Sequence, residues 1–123
     1  MKVSREFLAS TELFGAVEAS ALDEVVRELE AVRLAGGDVL FKEGDEADYL
    51  YLVVTGRLRA SLTREGNSER AVGEAGRGEV VGEIALLTDS PRSATVRAIR
   101  DTELLRLSRA GFDSLVEKHP RTM

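Results

Sequence analysis

The chain has 123 residues, and 43% of them are hydrophobic and 32% charged, which is typical of one globular domain with its own core. It contains no cysteine and a single histidine, His119, so disulfides, thiolate metal sites and histidine-based metal sites are excluded. Residues 1–50 carry five basic and twelve acidic residues, and this acidic half argues against a nucleic-acid partner, which needs a basic face.

The N-terminal stretch MKVSREFLAS lacks the apolar core of a signal peptide. No later run approaches the roughly 20 apolar residues that a membrane span needs. We therefore expect a cytoplasmic domain that binds no membrane by itself.

Two helical segments are predicted before residue 30. The first, a short turn or two, is indicated by Phe7, Leu8, Leu13 and Phe14. Ser20 and Asp23 fit a capping box at the start of the second. Its apolar face is formed by Leu22, Val25, Val26 and Leu29, which recur at helical spacing. This face covers either the domain's own sheets or a partner protein, and the residues favour the first.

From about residue 30 the pattern changes to strands. Short runs rich in Val, Leu, Tyr and Thr are separated by glycines, as in an antiparallel sandwich or barrel. The predicted strands include residues 39–41, 49–54, 57–62, 70–72, 95–99 and 103–107. Ser108 is predicted to cap a closing helix that presents Phe112, Leu115 and Val116 and ends near His119 and Pro120. The predicted fold is mainly β, an antiparallel eight-stranded β-roll similar to a jelly-roll barrel, with helices at both ends.

The stretch GEIALLTDSPR, residues 82–92, interrupts the strands where a hairpin turn is expected. Residues 83–87 are good helix formers and predict a short helix. Its first amides, those of Glu83, Ile84 and Ala85, lack intrahelical partners. Gly82 would allow close approach to these amides, which then form an anion site. Arg92 can turn its guanidinium toward the same helix terminus and bind a phosphate through two parallel hydrogen bonds.

Glu83 is the unusual residue of this stretch, because a carboxylate at a phosphate site repels the ligand. It gains a role if the ligand also carries a hydroxyl close to the phosphate, as a ribose with a cyclic phosphate and a free 2′-hydroxyl does. Alternatively, Glu83 and Arg92 pair with each other and pin a surface loop, which would contribute only about 0–1 kcal/mol. The residues alone leave both interpretations open.

A longer stretch carries a family resemblance. GRGEVVGEIALLTDSPRSATVRA, residues 76–98, closely resembles the phosphate-binding cassette of cyclic nucleotide-binding domains. These domains occur in regulatory subunits of cyclic-nucleotide-dependent kinases, catabolite-activator-type regulators, gated channels and patatin-like esterases. GDVLFKEGDEADYLYLVVTGRLRA (residues 37–60) resembles the family's early strands, and LLRLSRAGFDSLVEKHP (residues 104–120) resembles its last strand and the following helix. The resemblance implies one domain over residues 1–123.

The resemblance implies a role for each part of the cassette, residues 82–94. Glu83 would accept a hydrogen bond from the ribose 2′-hydroxyl, and Arg92 would pair with the exocyclic phosphate oxygens. The amides of Ala85 and Ser93 would donate to the same oxygens. The full set of predicted ligand-binding residues is Gly82, Glu83, Ile84, Ala85, Arg92, Ser93 and Ala94. Leu86 and Leu87 are expected behind the ligand, with Leu86 against the helix that carries Phe112, so that binding repositions this helix.

Two departures from the family pattern affect what is expected. Ser93 stands where alanine tends to accompany cAMP preference and threonine tends to accompany cGMP preference, and we expect cAMP, with cGMP as the alternative. The family's lid helix follows the helix of Phe112, whereas this sequence stops at Met123. We therefore expect most of the lid to be missing, so that the chain is a fragment or another chain supplies the cap.

The leading hypothesis is a non-catalytic cyclic-nucleotide sensor that needs no cofactor or metal and acts on a downstream effector domain or partner. The alternative is a structural barrel that docks to a partner protein and binds no cyclic nucleotide. An enzyme is disfavoured because histidine-based acid–base chemistry is lacking and hydrolysis of cyclic phosphates normally recruits metals.

Overall fold

The computed structural model describes residues 5–11, 14–15 and 17–118, in which eight strands are flanked by helices. The helices are α1 (Arg5–Ala9), α2 (Ala19–Glu28), α3 (Glu83–Thr88) and α4 (Arg109–Lys118). The strands are β1 (Glu30–Leu34), β2 (Val39–Phe41), β3 (Tyr49–Thr55), β4 (Leu58–Thr63), β5 (Glu69–Ala75), β6 (Val80–Val81), β7 (Thr95–Ala98) and β8 (Thr102–Ser108). Within these residues, no helix is long and apolar enough to cross a membrane.

The strands form two antiparallel four-stranded sheets, with the orders β1-β8-β3-β6 and β2-β7-β4-β5. The predicted eight-stranded β-roll with helices at both ends is thus confirmed, and the sheets stay separate without closing into a barrel. The six strands predicted by residue range are all present. The sequence predicted no residue range for β1 or β6. β6 has only two residues, which is too short to show a strand period.

The central strands β3 and β8 are buried on both faces. Alternate residues point to opposite sides of a strand, so Leu52 and Leu105 pack against the helices, whereas Val53 and Leu104 pack against the second sheet. This double burial explains the continuous apolar run YLYLVV in β3. The predicted apolar faces of the two long helices are confirmed. Their core residues are Leu22, Val25, Phe112 and Leu115, with Val26, Leu29 and Val116 partly buried.

Of the two helix caps predicted from the sequence, one is confirmed and one is wrong. Ser108 precedes α4, and its Oγ accepts a hydrogen bond of 3.0 Å from the Gly111 amide, which confirms the predicted cap. The capping box at Ser20 is wrong, since α2 already begins at Ala19 and Ser20 lies inside it. Val17 and Leu22, both buried in the same cluster, flank the start of α2 as a hydrophobic staple. Leu13, His119 and Pro120 lie outside the described residues.

Replacing the serine of each predicted cap tests this difference. We expect Ser108→Ala to lower the free energy of unfolding by about 1 kcal/mol, because the Gly111 amide loses its acceptor. Ser20→Ala should change it by less than about 0.5 kcal/mol, since an exposed position inside a helix suits alanine. Urea denaturation of the two variants measures both values. Equal losses would contradict the assignment of Ser108 as the cap.

Candidate functional site

The predicted short helix inside the β-roll is confirmed as α3, which connects β6 to β7 through residues 83–88. Gly82 precedes it with φ of 86°, a left-handed conformation that allows the chain to turn sharply from the strand into the helix. Asp89 ends the helix, also in the left-handed region, and its amide donates to the Ala85 carbonyl. The helix is therefore held between two tight turns.

Arg92 is buried, with only 4% of its surface exposed. Its Nη1 donates to the Gly82 carbonyl at 3.0 Å, and its Nη2 donates to the Tyr49 carbonyl. A guanidinium has five N–H groups, so these two bonds leave donors for another acceptor. Burial lowers the pKa of Arg92 below its ordinary value. The two backbone hydrogen bonds and the burial hold the guanidinium in one place within the fold. The sequence had suggested a side chain free to turn.

The backbone of Arg92 is held by the loop that follows β2. The Arg92 amide donates to the Asp45 carbonyl, and the Gly44 amide donates to the Arg92 carbonyl, both at 2.8 Å. The loop itself is closed by the Asp45 carboxylate, which accepts from the Lys42 amide at 2.9 Å. The position of the cation is thus set by a loop about 50 residues earlier in the chain, a link that no local pattern indicates.

Two buried atoms at this site have no partner. Of the buried side-chain polar atoms in the described residues, only Glu83 Oε2 and Arg92 Nε lack a hydrogen bond. A buried polar group without a partner costs about 1–3 kcal/mol, so such groups call for an explanation. The ion pairs of the described residues do not include one between Glu83 and Arg92. The interpretation that these two residues pair only to pin a loop is therefore wrong.

A cavity of about 240 Å³ brings the predicted site residues together. All seven of them line it: Gly82, Glu83, Ile84, Ala85, Arg92, Ser93 and Ala94. Its remaining walls were not predicted from the sequence; they are Phe41, Ala60, Val80, Val81 and Val96. These are strand residues, and alternation along a strand does not reveal which inward side chains face a cavity. The cavity thus has one charged and one apolar side.

Most of the chain matches a known protein family. The family model of the cyclic nucleotide-binding domain matches residues 31–119, well over half of the chain. This chain belongs to the cyclic nucleotide-binding domain family. A curated relative, the lysophospholipase nte1 of Aspergillus fumigatus, is 50% identical over 92 residues, which are 75% of this chain and 6% of that protein. The domain therefore spans only a small part of the length of such relatives.

Solved structures share the fold of this cyclic nucleotide-binding domain. The regulatory domain of Toxoplasma gondii PKA, crystallised with cAMP, superposes with a TM-score of 0.86 at 32% identity, over 93% of this chain and 43% of that one. The catabolite activator protein of Thermus thermophilus gives a TM-score of 0.80 at 34% identity, over 89% and 52% of the two chains. Both similarities extend over nearly the whole chain.

In this domain, α3 meets the closing helix α4 at Leu86. Leu86, 4% exposed, belongs to the same core cluster as Phe112, and its backbone carbonyl makes the predicted contact with the helix of Phe112, through Arg109. Leu87 is 62% exposed, and neither it nor Leu86 lines the cavity, so the expected place of these two residues behind the ligand stays a prediction. Arg109, at the start of α4, lies 3.5 Å from the Leu86 carbonyl and 3.4 Å from Asp89. No pattern in the sequence indicated this link between Arg109 and α3.

Proposed function

We propose that this domain binds a cyclic nucleotide, cAMP in preference to cGMP, in the cavity beside α3, and that it is a non-catalytic sensor within a larger protein. The observation that carries the proposal is the pair of unpartnered polar atoms, Glu83 Oε2 and Arg92 Nε. One is an acceptor and the other a donor, and both residues line the same cavity. A ligand that offers both an anion and a hydroxyl would satisfy both atoms.

The phosphate is assigned to Arg92. Its guanidinium keeps unused N–H groups after binding two backbone carbonyls, and a charge-assisted bond to a phosphate oxygen is stronger than a neutral one. The amides of Ala85 and Ser93, both on the cavity wall, donate to the same oxygens. The first amides of α3 lack partners within the helix and favour a negative charge nearby.

The ribose is assigned to Glu83, whose carboxylate accepts a hydrogen bond from the 2′-hydroxyl. The base is less enclosed, since about 240 Å³ lies below the roughly 300–1,000 Å³ of typical ligand pockets. Ser93 is exposed and lines the cavity, so its hydroxyl can donate to a phosphate oxygen or accept from the exocyclic amine of guanine. The preference for cAMP rests on this position and on the resemblance of the cassette to cAMP-binding members.

We assign to α4 the transmission of ligand binding to the rest of the protein. Leu86 and Arg109 connect α3 to this helix, so a ligand that moves α3 also shifts the packing of α4. The domain is a small part of the length of its curated relatives, which supports an effector domain or partner elsewhere in the protein. The alternative, a docking module without a nucleotide ligand, leaves the two buried polar atoms unsatisfied.

Titration with cAMP and cGMP by calorimetry tests the proposed function. We expect saturable binding of one ligand per chain, tighter for cAMP than for cGMP. 5′-AMP is the matched control, because it has the same base and ribose but an open phosphate. Absence of heat from both cyclic nucleotides, with the protein shown to be folded, would favour the docking module.

Glu83→Ala tests the ribose contact. We expect the variant to bind cAMP about tenfold more weakly, because the 2′-hydroxyl loses a charged acceptor. The parent should already bind 2′-deoxy-cAMP weakly, and Glu83→Ala should leave that affinity unchanged or raise it, since a repulsive carboxylate is removed. Calorimetry on the two proteins with the two ligands gives the coupling between Glu83 and the hydroxyl. Equal losses for both ligands would show that Glu83 acts through folding alone.

A further inference from the structure

The ring of Phe41 lies against the Arg92 guanidinium and has no role in the ligand contacts assigned above. Arg92 Cζ lies 4.0 Å from the centroid of the Phe41 ring and 5.9 Å from that of Tyr51, and the two rings are 6.0 Å apart. A cation within about 6 Å of an aromatic face is attracted by the ring quadrupole. Phe41 also lines the cavity, so this contact is made at the site itself.

We propose that Phe41 is a positioning residue for anion binding, whose ring fixes the plane of the Arg92 guanidinium and offsets part of its desolvation. This inference rests on the proposed function, because it assigns the anion to Arg92. The bonds to the Gly82 and Tyr49 carbonyls engage the two Nη atoms, whereas Nε is left without a partner. A ring lying against the guanidinium holds its plane, so that Nε and the N–H groups left unused by the two carbonyls keep their direction.

The backbone of β2 places Phe41 for this contact. Val39 pairs with Arg97 on β7, but Phe41 pairs with Val96, so the register shifts by one residue between them. In a regular ladder Phe41 would lie opposite Thr95 and share the outer face of the sheet with Arg97. The shift brings it opposite Val96 on the inner face, where it joins the core between the sheets. Bulges that redirect a side chain are frequent next to functional sites.

A fluorinated phenylalanine series at position 41 tests the inference, since fluorine weakens the ring quadrupole and hardly changes the shape. With 4-fluoro-, 3,5-difluoro- and 3,4,5-trifluorophenylalanine we expect the affinity for cAMP to fall stepwise, by about three- to tenfold in total. The melting temperature should stay within the scatter of the parent. A series without a trend, in a parent that binds cAMP, overturns the role of Phe41; a parent that binds no cyclic nucleotide overturns the proposed function instead.

The matched control is Phe7, over whose ring Arg77 lies at 4.6 Å, away from the cavity. The same three substitutions there should leave cAMP affinity unchanged. A second series at position 41 in an Arg92→Gln background separates positioning from direct ligand contact. Without the cation, affinity should no longer depend on fluorination, whereas an undiminished trend would mean that the ring contacts the nucleotide itself and would overturn the inference.

Discussion

Replacing Arg92 by alanine should weaken cAMP binding by roughly 30- to 1,000-fold, or about 2–4 kcal/mol, the largest loss expected for a single site residue. If Arg92 binds the phosphate as proposed, the variant loses the neutralising charge at a buried position, since only 4% of the Arg92 surface is exposed. It also leaves the carbonyls of Gly82 and Tyr49 without their donors. We therefore expect a lower melting temperature in addition to the loss of affinity, and calorimetry with thermal unfolding measures both.

Arg92→Lys separates charge from geometry at the same position. An ammonium cannot bond two carbonyls and a phosphate in one plane, so this variant should recover only part of the affinity. Arg106, whose guanidinium lies over the Tyr49 ring and pairs with Glu30, does not line the cavity and provides a control. Arg106→Ala should leave cAMP affinity nearly unchanged. Unimpaired binding by Arg92→Ala would contradict the assignment of the phosphate to Arg92.

Replacing Gly82 by alanine should produce the second large effect, an approximately 10- to 100-fold loss of cAMP affinity. A Cβ at this position would overlap Nη1 of Arg92, so the guanidinium must leave the plane in which it meets the ligand. The left-handed backbone, with φ of 86°, adds strain of about 1–2 kcal/mol for a residue with a side chain. Both affinity and the free energy of unfolding should therefore fall.

Gly78→Ala is the matched control for this variant. Gly78 has φ of 83°, and a Cβ there would meet no atom within 4 Å. Gly78→Ala should thus lose a comparable free energy of unfolding through backbone strain, yet bind cAMP like the parent. Calorimetry and urea denaturation of the two variants separate the effects. If both lose affinity equally, strain in the backbone and not the displacement of Arg92 is responsible.

Some features of the structure could be predicted from the sequence because their cause is local. The helix at residues 83–88 follows from a run of good helix formers between a glycine and a turn, and the Ser108 cap follows from a serine that directly precedes an apolar helical face. Where a non-local contact competes, the local pattern failed. The capping box at Ser20 was overruled by the packing of Val17 with Leu22 in the core.

Other features had no local signal. Phe41 and Arg109 are ordinary residues in the sequence, and their contacts with Arg92 and Leu86 join positions far apart in the chain. The exposure of Leu87 follows from how α3 sits on the sheet, since several rotations of a short apolar helix are equally compatible with its sequence. The two-residue strand β6 exists only because β3 provides the pairing partner.

The β-roll and the short helix inside it could be predicted from the sequence, because strand alternation, glycine turns and a run of helix formers are local properties of the chain. The arrangement of the polar groups around Arg92 could not be predicted in this way. Burial of Arg92, its two backbone acceptors and the unpartnered atoms of Glu83 and Arg92 arise when β2, β3 and the 83–92 segment meet. Desolvation and hydrogen-bond satisfaction depend on every atom within a few ångströms, and most of those atoms come from distant parts of the chain.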